Sequence, residues 1–298
     1  MIGIAISGAL CAAGANAAAS VLQRKADRDE PDDVSLSPRL VLDLLQRPAW
    51  LGGVAAITAG FLLQALALAN GQLSLVEPLL VLELPLTLLL GSRVFHKRLH
   101  RREWLAIGGM TLGLIVLLYC LRPQAGDRSM GAIEWVVGIG VTLAVVAGLV
   151  ASGRRSQGTG RAARYGVATG TSFGLTAVLV SVMSTAASHG LGSIFTIWQT
   201  YGLVASGLLG MFLLQNALQA GPLVAAQPGF TLADPLVAMT WGVLLFGERI
   251  RLGPWLAGEL GGGLLIAVAT FRLIRSPLLQ ETSGASDDEG AEPATAEG

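Results

Sequence analysis

Apolar residues come in runs of about twenty, separated by short polar breaks, along most of the chain. Runs of this length match the hydrocarbon thickness that a transmembrane helix must cross. With a window of about nineteen residues, the pattern predicts nine spans. They cover residues 2–23, 49–70, 74–95, 103–121, 131–152, 163–187, 197–218, 223–246 and 254–274. We therefore expect an all-α polytopic membrane protein with about nine transmembrane helices.

The segments outside these spans differ in character. Residues 1–23 are expected to stay as the first span, because a cleavable signal needs basic residues before its apolar run and here Arg24 and Lys25 follow it. The loop 24–48 contains a stretch bracketed by Pro38 and Pro48, which predicts a short helix on the inner membrane surface. The tail 276–298 is acidic and rich in small residues, so we expect it to be disordered and cytoplasmic.

The chain repeats without a gap when it is aligned on itself with a shift of 151 residues. Residues 61–115 then lie over residues 212–266, so that the core spans of 49–121 correspond to those of 197–274, with the two spans of 131–187 between them. Equivalent spans are five apart, and an odd separation places the two copies in opposite orientations. The sequence therefore predicts two inverted structural repeats. Matched pairs include Phe61 with Phe212, Gln64 with Gln215, Trp104 with Trp255, and Glu83 with Asp234.

Basic residues indicate the orientation. With the N-terminus outside, 16 Lys and Arg fall in segments that face the cytoplasm and 4 in segments on the opposite side. Cytoplasmic loops carry the excess of such residues. We expect an integral protein of the cytoplasmic (plasma) membrane with its N-terminus outside and its C-terminus in the cytoplasm.

Composition narrows the function classes. The chain is 52% hydrophobic and 13% charged, with 20 basic and 20 acidic residues, so it offers no basic face to nucleic acid. No nucleophile with a base, phosphate-binding glycine loop or metal-binding cysteine set appears. Cys11 and Cys120 lie in separate spans, as buried small residues would. We expect neither an enzyme nor a bound cofactor.

Glu83 and Asp234 both fall near the middle of a predicted span. An acid at the bilayer centre costs roughly 2.5 to 3.5 kcal/mol on insertion scales, so such residues usually face a cavity or an ion path. Each is flanked by two prolines, which remove backbone donors and free carbonyl oxygens. A carboxylate beside an interrupted helix is the outline of a cation site. The flanking residues are Pro78 and Pro85 in the first copy, and Pro228 and Pro235 in the second.

Plainer interpretations stay open at this point. The prolines would then only kink their helices, and protonated Glu83 and Asp234 would hydrogen-bond to Gln64 or Gln215. Glu77 is predicted to be a solvated acid near the outer surface, with a gate to an outer vestibule as the alternative. Other amides in the spans are expected to bond between helices. Glycine spacings such as Gly258 to Gly262 allow close helix approach, and a homodimer is left open.

Three segments resemble a known group of proteins. They are ASVLQRKA at 19–26, LANGQLSLVEPL at 68–79 and DPLVAMTWGVLLFGERI at 234–250. The chain is similar over about residues 1–275 to the drug/metabolite transporter (DMT) superfamily, and within it to EamA-type and NIPA-like magnesium transporters. The resemblance implies alternating access through a central cavity lined by both copies. NIPA-like proteins tend to have a small apolar residue where this chain has Glu77.

These observations predict a secondary transporter that moves a small solute or a divalent cation, with Mg²⁺ as one candidate. Glu83 and Asp234 would bind the cation or a coupling proton, and Gln64 and Gln215 would line the cavity. Two carboxylates with retained waters suit Mg²⁺. The alternatives are a proton-coupled exporter of small metabolites or drugs, and a membrane scaffold or accessory subunit that transports nothing.

Overall fold

The computed structural model describes residues 2–28, 48–126, 130–251 and 253–276. The predicted surface helix near 38–47 and the tail 277–298 lie outside these residues. The helices are α1 (Ile2–Arg28), α2 (Pro48–Asn70), α3 (Leu73–Leu80), α4 (Glu83–Val94), α5 (Arg101–Leu121), α6 (Ala132–Arg154), α7 (Gly158–Ala187), a short 3-10 helix (Leu191–Phe195), α8 (Trp198–Ala220), α9 (Leu223–Leu244) and α10 (Trp255–Ile274).

The prediction of an all-α, multi-pass membrane protein is confirmed. Within the described residues, 8 helices are long and apolar enough to cross a membrane, with α3 and α4 together forming one of them. The remaining predicted span corresponds to α9, which is 22 residues long. The mean hydropathy of α9 is lower than that of the other spans because Gln227 and Asp234 interrupt its apolar run. The boundaries agree with the sequence pattern to a few residues, except that α1 extends to Arg28 and α7 begins at Gly158, each five residues beyond its predicted bound.

Helix α7 begins before its predicted span because its first turns are polar. Its first turns carry arginines and lie beyond the apolar run that begins near residue 163. Arg164 donates a hydrogen bond from its guanidinium to the Ser152 carbonyl oxygen in the last turns of α6, at 2.8 Å. This contact joins the two helices at their turn. A window based on hydropathy alone does not detect such a polar helix end.

The predicted interruption after Pro78 is present in the first copy. Helix α3 ends at Leu80 and α4 begins at Glu83. Across the break, the Leu82 N–H donates to the Leu79 carbonyl oxygen at 3.2 Å and the Leu84 N–H donates to the Val81 carbonyl oxygen at 3.3 Å. These bonds reach back three residues, as in a 3-10 turn. Pro85 supplies no N–H to Val81, and the shorter bond replaces the missing one.

The matching interruption in the second copy is absent, so that prediction is wrong. Helix α9 runs unbroken through Pro228 and Pro235. It packs along α7 in the most extensive of the described helix pairs. Three glycines of α7, which we call the glycine seam, lie directly against the α9 backbone. A Cβ would lie 2.2 Å from the Ala226 carbonyl oxygen at Gly166, 2.6 Å from that of Phe230 at Gly170, and 2.7 Å from that of Asp234 at Gly174.

Close packing on small residues therefore supports α9 where its own hydrogen bonds are missing. The first copy lacks such a seam. At the positions 151 residues earlier, α1 has Ala15, Ala19 and Gln23 instead of glycine. Side chains there prevent an equally close backbone approach. The same proline spacing thus gives a broken helix in one copy and a continuous helix in the other.

The two ends of the bundle are held by different contacts. At one end, Glu248 follows α9 and accepts hydrogen bonds from the backbone N–H groups of Leu73 and Ser74, at 2.8 and 3.0 Å. We call this contact the Glu248 clasp and this end the clasp end. At the opposite end, which we call the arginine end, Ser276 after α10 donates a hydrogen bond to Glu103 at the start of α5.

A cluster of aromatic side chains lies near the clasp end of the bundle. The ring centroid of Trp135 lies 5.1 Å from that of Trp198, 5.5 Å from that of Trp241 and 6.1 Å from that of Phe246. These residues come from α6, α8, α9 and the segment after α9. Trp135 and Trp241 are buried. Ring contacts in the cluster therefore pack three helices and one connecting segment against each other.

Candidate functional site

A polar cavity of about 370 Å³ lies between the helices, and we call it the central cavity. Its lining comes from α1, α2, α3, the break before α4, α4, α8 and α9. The polar residues among its lining are Asn16, Ser20, Gln64, Glu77, Glu83, Gln227, Thr231 and Asp234. The apolar ones are Leu80, Val81, Leu84, Leu214, Leu218, Leu223, Phe230 and Pro235. Three carboxyl groups thus share one cavity.

Glu83 is the first residue of α4, directly after the helix break. The positive end of a helix dipole stabilises a negative group in this first turn. The Asn16 side chain of α1 hydrogen-bonds to Glu83. The break therefore places Glu83 at the wall of the cavity, where the helix dipole and the Asn16 bond offset part of the cost of burying its charge.

Asp234 lies in the middle of α9 and has one oxygen without a partner. Its Oδ1 is buried and accepts no hydrogen bond. Glu77 and Glu83 both lie close enough to act on it electrostatically. A buried acceptor without a partner carries a free-energy cost of about 1 to 3 kcal/mol. A cation or a proton in the cavity would remove that cost.

Glu77 is not the solvated outer acid that its position predicted. Only 2% of its surface is exposed, and it accepts a hydrogen bond from the Gln64 amide at 3.2 Å. Helix α3 is inserted among other helices from its first turn, so a position near a span end is no guide to exposure here. Glu259, near the start of α10, is also buried.

The structure separates the predicted pair of glutamines. Gln64 lines the central cavity, whereas Gln215 is exposed on α8 and is not among the lining residues. The prediction that both line the cavity is therefore wrong for Gln215. The face of α8 that reaches the cavity carries Leu214 and Leu218 instead. Equivalent positions in two copies need not face the same space when the copies pack differently.

For some residues of the central cavity, the sequence predicted only hydrogen bonds between helices. Asn16 and Gln227 belong to this group, and Thr231 was not singled out. A signal for them exists, because Gln227, Thr231 and Asp234 are spaced by four and three residues and so share one face of a helix. Asn16 and Ser20 share a face of α1 in the same way. A polar stripe of this kind within an apolar span indicates a cavity wall.

Among the described residues, the lining of the central cavity includes no Lys, Arg or His. Charge in the cavity is therefore negative whenever its acids are ionised. The described residues also contain no group of three or more His, Cys, Asp or Glu arranged to hold a metal ion. The three carboxyl groups are thus close enough to interact but spread around the walls.

The cavity extends toward the arginine end. Its lining reaches Ser20 near the end of α1, Leu218 near the end of α8 and Leu223 at the start of α9, all on that side. On the clasp side, the lining includes Gln64 near the end of α2 and Glu77 in the second turn of α3.

The clasp is a buried carboxylate at the N-terminus of α3. Glu248 also accepts a hydrogen bond from the Ser74 hydroxyl at 2.5 Å. Burial raises the pKa of Glu248 above its ordinary value of 4.5, although the bonds from Ser74 and Leu73 oppose this shift. Gly242 leaves room for the clasp, because a Cβ there would lie 2.5 Å from Glu248 Oε2. The clasp joins the end of α9 to the start of α3 across 174 positions of sequence.

Comparison with known proteins identifies a relative of nearly the same length. The uncharacterized protein Cgl0250/cg0304 of Corynebacterium glutamicum is 31% identical over 277 residues, which cover 92% of this chain and 95% of the relative. The chain belongs to the family of this corynebacterial protein. No protein-family model matches the chain, and no solved structure matches it.

Proposed function

We propose that the chain is a secondary transporter of the DMT type that moves a small cationic solute or a divalent cation across the cytoplasmic membrane by alternating access. The carrying observation is the central cavity, in which Glu83 from one sequence copy and Asp234 from the other meet. Glu77 adds a third acid from the first copy. Acids from both copies at one cavity are what a transporter built from inverted repeats requires.

The directions of the helices support the inverted arrangement. Gly8 of α1 lies against Ala67 of α2, and Gly71 after α2 lies against Ala5, so α1 and α2 are antiparallel. By contrast, the glycine seam shows that α7 and α9 run in parallel. Following the chain through such contacts gives α3 and α9 opposite directions. The proposed orientation places the N-terminus and the clasp end outside and the arginine end in the cytoplasm, as the basic residues indicate.

The size of the cavity bears on the cargo. Mg²⁺ gives up its water reluctantly and usually keeps several water ligands. Six waters occupy about 180 Å³ at roughly 30 Å³ each, which fits within the cavity of about 370 Å³. The spread of the three acids suits a hydrated ion or an organic cation better than a bare ion that needs its ligands gathered around it.

The apolar part of the lining favours one alternative. Phe230 and several leucines face the same space as the acids. An organic solute would bind against this wall, while Asp234 or Glu83 would exchange a proton. The proposed alternative is therefore a proton-coupled exporter of a small metabolite or drug.

The test is magnesium flux into proteoliposomes under an inside-negative potential. We expect flux in the wild type and a loss of at least tenfold in Asp234→Asn and in Glu83→Gln, because each variant removes one negative charge from the cavity. Glu134→Gln is the matched control, since this acid lies at the start of α6, away from the cavity. It should retain wild-type flux.

Each result separates the functions under comparison. Flux that is unchanged in the Glu83→Gln, Asp234→Asn double variant would contradict the proposed site. The absence of magnesium flux with folded protein would exclude magnesium as the cargo. Uptake driven by a pH gradient would then be measured with organic amines, and failure of every cargo would leave the scaffold.

A further inference from the structure

A second and larger cavity opens at the arginine end of the bundle. It has a volume of about 950 Å³ and lies between the start of α5 and the end of α10. Four guanidinium groups line it, those of Arg101, Arg102, Arg272 and Arg275. We call it the arginine pocket. It shares no lining residue with the central cavity.

The positive charge of the pocket is not neutralised by the described residues. Its lining contains one carboxylate, that of Glu103, which is buried. Glu103 already accepts a hydrogen bond from the His100 backbone N–H at 2.6 Å and another from the Ser276 hydroxyl. None of the four arginines forms an ion pair with a carboxylate in the described part of the chain. Four positive charges therefore face one acid that is already occupied.

The bond between Ser276 and Glu103 gives the pocket a fixed frame. It joins the residue after α10 to the first turn of α5, so Arg275 is held beside the segment that carries Arg101 and Arg102. Ser276 is buried, with 4% of its surface exposed. Planar guanidinium groups held at such a rim are suited to bidentate contacts with phosphate oxygens.

The surface next to the pocket is apolar and uncovered. Trp104 and Leu105 on the first turns of α5 are 54% and 60% exposed, and Val268 and Phe271 on the last turns of α10 are 41% and 47% exposed. Both helices cross the membrane, so this surface faces acyl chains. A positively charged pocket above a strip of exposed apolar side chains matches the two parts of a phospholipid.

We propose that the arginine pocket binds the phosphate headgroup of an anionic phospholipid, with the acyl chains along the exposed strip of α5 and α10. Basic pockets between transmembrane helices on the cytoplasmic side bind such headgroups. The plainer role of these arginines is to set the orientation of the chain in the membrane. Arg154 and Arg155 at the turn between α6 and α7 serve that role without lining this pocket, and they are also exposed.

The experiment measures lipid binding to the purified full-length protein in neutral detergent. Phosphatidylglycerol and phosphatidylcholine are titrated separately, and bound lipid is counted by native mass spectrometry. We expect the wild type to prefer phosphatidylglycerol, and the Arg272→Gln, Arg275→Gln variant to bind it at least tenfold more weakly. The Arg154→Gln, Arg155→Gln variant removes the same charge elsewhere and should stay within twofold of the wild type.

The comparison of the two variants, a competition with inorganic phosphate and a truncated chain decide the proposal. Equal losses in the two double variants would overturn the proposal, because positive charge in general would then explain the binding. No loss in either variant would also overturn it, because the arginine pocket would then not be the binding site. Displacement of phosphatidylglycerol by millimolar inorganic phosphate would overturn it in favour of a free anion. A chain that ends at Ser276 distinguishes the lipid from the acidic segment 277–298: binding that appears only after this truncation would show that the segment, not lipid, is the natural occupant.

Discussion

Glu77 and Gln64 show how much of the site depends on single side chains. Packing of α3 among other helices buries Glu77, and the Gln64 amide donates a hydrogen bond to one of its carboxyl oxygens at the wall of the central cavity. Glu83 gains its place from the helix break, and Asp234 from its position opposite the glycine seam. Each of the three acids is therefore placed by a different physical cause.

Replacing Glu77 by glutamine should separate charge from packing. In Glu77→Gln the new side-chain oxygen still accepts the bond from Gln64, so we expect the midpoint of thermal unfolding to stay within about 2 °C of the wild type. Flux of the cation should fall at least tenfold, because one of three negative charges is lost. The two measurements are made on the same purified sample. A stable variant with full flux would assign Glu77 to packing alone.

Glu248 predicts a dependence of stability on pH. Its pKa is raised by burial, so the folded protein binds this proton more tightly than the unfolded chain does. Its contribution to the free energy of unfolding is fully present below pH about 4.5 and is lost as pH rises through the folded pKa. We therefore expect the free energy of unfolding of the wild type to fall relative to that of Glu248→Gln as pH rises from about 4.5 through the folded pKa. Denaturant titration in detergent measures both free energies.

Ser74→Ala gives the matched comparison for this effect. The Ser74 hydroxyl bond lowers the pKa of Glu248, so its removal should make the loss of stability with rising pH steeper. A difference that is flat with pH in both variants would show that Glu248 remains solvated. If the wild type instead became more stable than the variant as pH rises, the hydrogen bonds to Glu248 would affect its pKa more than burial does.

The residues of the site were only partly predictable from the sequence. Glu83, Asp234 and Gln64 were found because an acid or amide in an apolar run is rare and because the repeat marked them twice. Gln215 was assigned by the same repeat and lies elsewhere, since the repeat fixes the order of residues but not the face that packs inward. The clasp was missed because Glu248 lies in a connecting segment, and its partners are distant in sequence.

At the scale of elements, helix α9 depends on helix α7. The glycine seam brings the two backbones together beside Pro228 and Pro235, over the stretch in which α9 is continuous. The sequence predicted where both helices cross, since their apolar runs are long. It did not predict which of the two proline-containing spans would break, because that outcome depends on the neighbour against which each one packs.

Adding a single methyl group to the seam tests this dependence. In Gly174→Ala the new Cβ would lie 2.7 Å from the Asp234 carbonyl oxygen, so α9 must move away. We expect a loss of stability of about 1 to 3 kcal/mol, typical of overpacking. Unfolding in denaturant measures it.

Gly148→Ala is the control for this substitution. Gly148 lies within α6 and has no atom of another segment within 4 Å of an added Cβ. Alanine is the better helix former, so this variant should gain about 0.5 to 1 kcal/mol. If both variants gained stability, the seam would not be a tight contact.

At the scale of the whole molecule, alternate helix directions place every connection at one of two ends. The count of basic residues is the basis of the proposed orientation, with the arginine end in the cytoplasm. Composition and periodicity predicted the class of the protein and nearly all span boundaries, because hydrophobic length is a local property. The Glu248 clasp and the Ser276–Glu103 bond arise from contacts between distant segments, which no local pattern contains.

Two cysteine variants test the orientation. In a background with Cys11→Ala and Cys120→Ala, His189→Cys lies after α7 near the clasp end and Gln157→Cys lies between α6 and α7 near the opposite end. Both positions are exposed. A maleimide that does not cross membranes should label His189→Cys in intact cells, and Gln157→Cys only after lysis. The opposite pattern would place the arginine end outside, and labelling of both would contradict a fixed orientation.

Among the described residues, the sequence repeat does not reproduce the Glu248 clasp at the arginine end, where the Ser276–Glu103 bond joins other elements. The positions 151 residues away from Glu248 and Ser74 are occupied by Lys97 and Ala225, which cannot form the same bonds. Under the proposed function, unequal contacts at the two ends would favour one orientation of the empty site over the other. The apparent half-saturating concentration would then differ between the two compartments by the population factor. The electrochemical gradients of the solute and of any coupled ion would still set the direction of net movement, so the clasp would change the affinity on each side without making transport one-way.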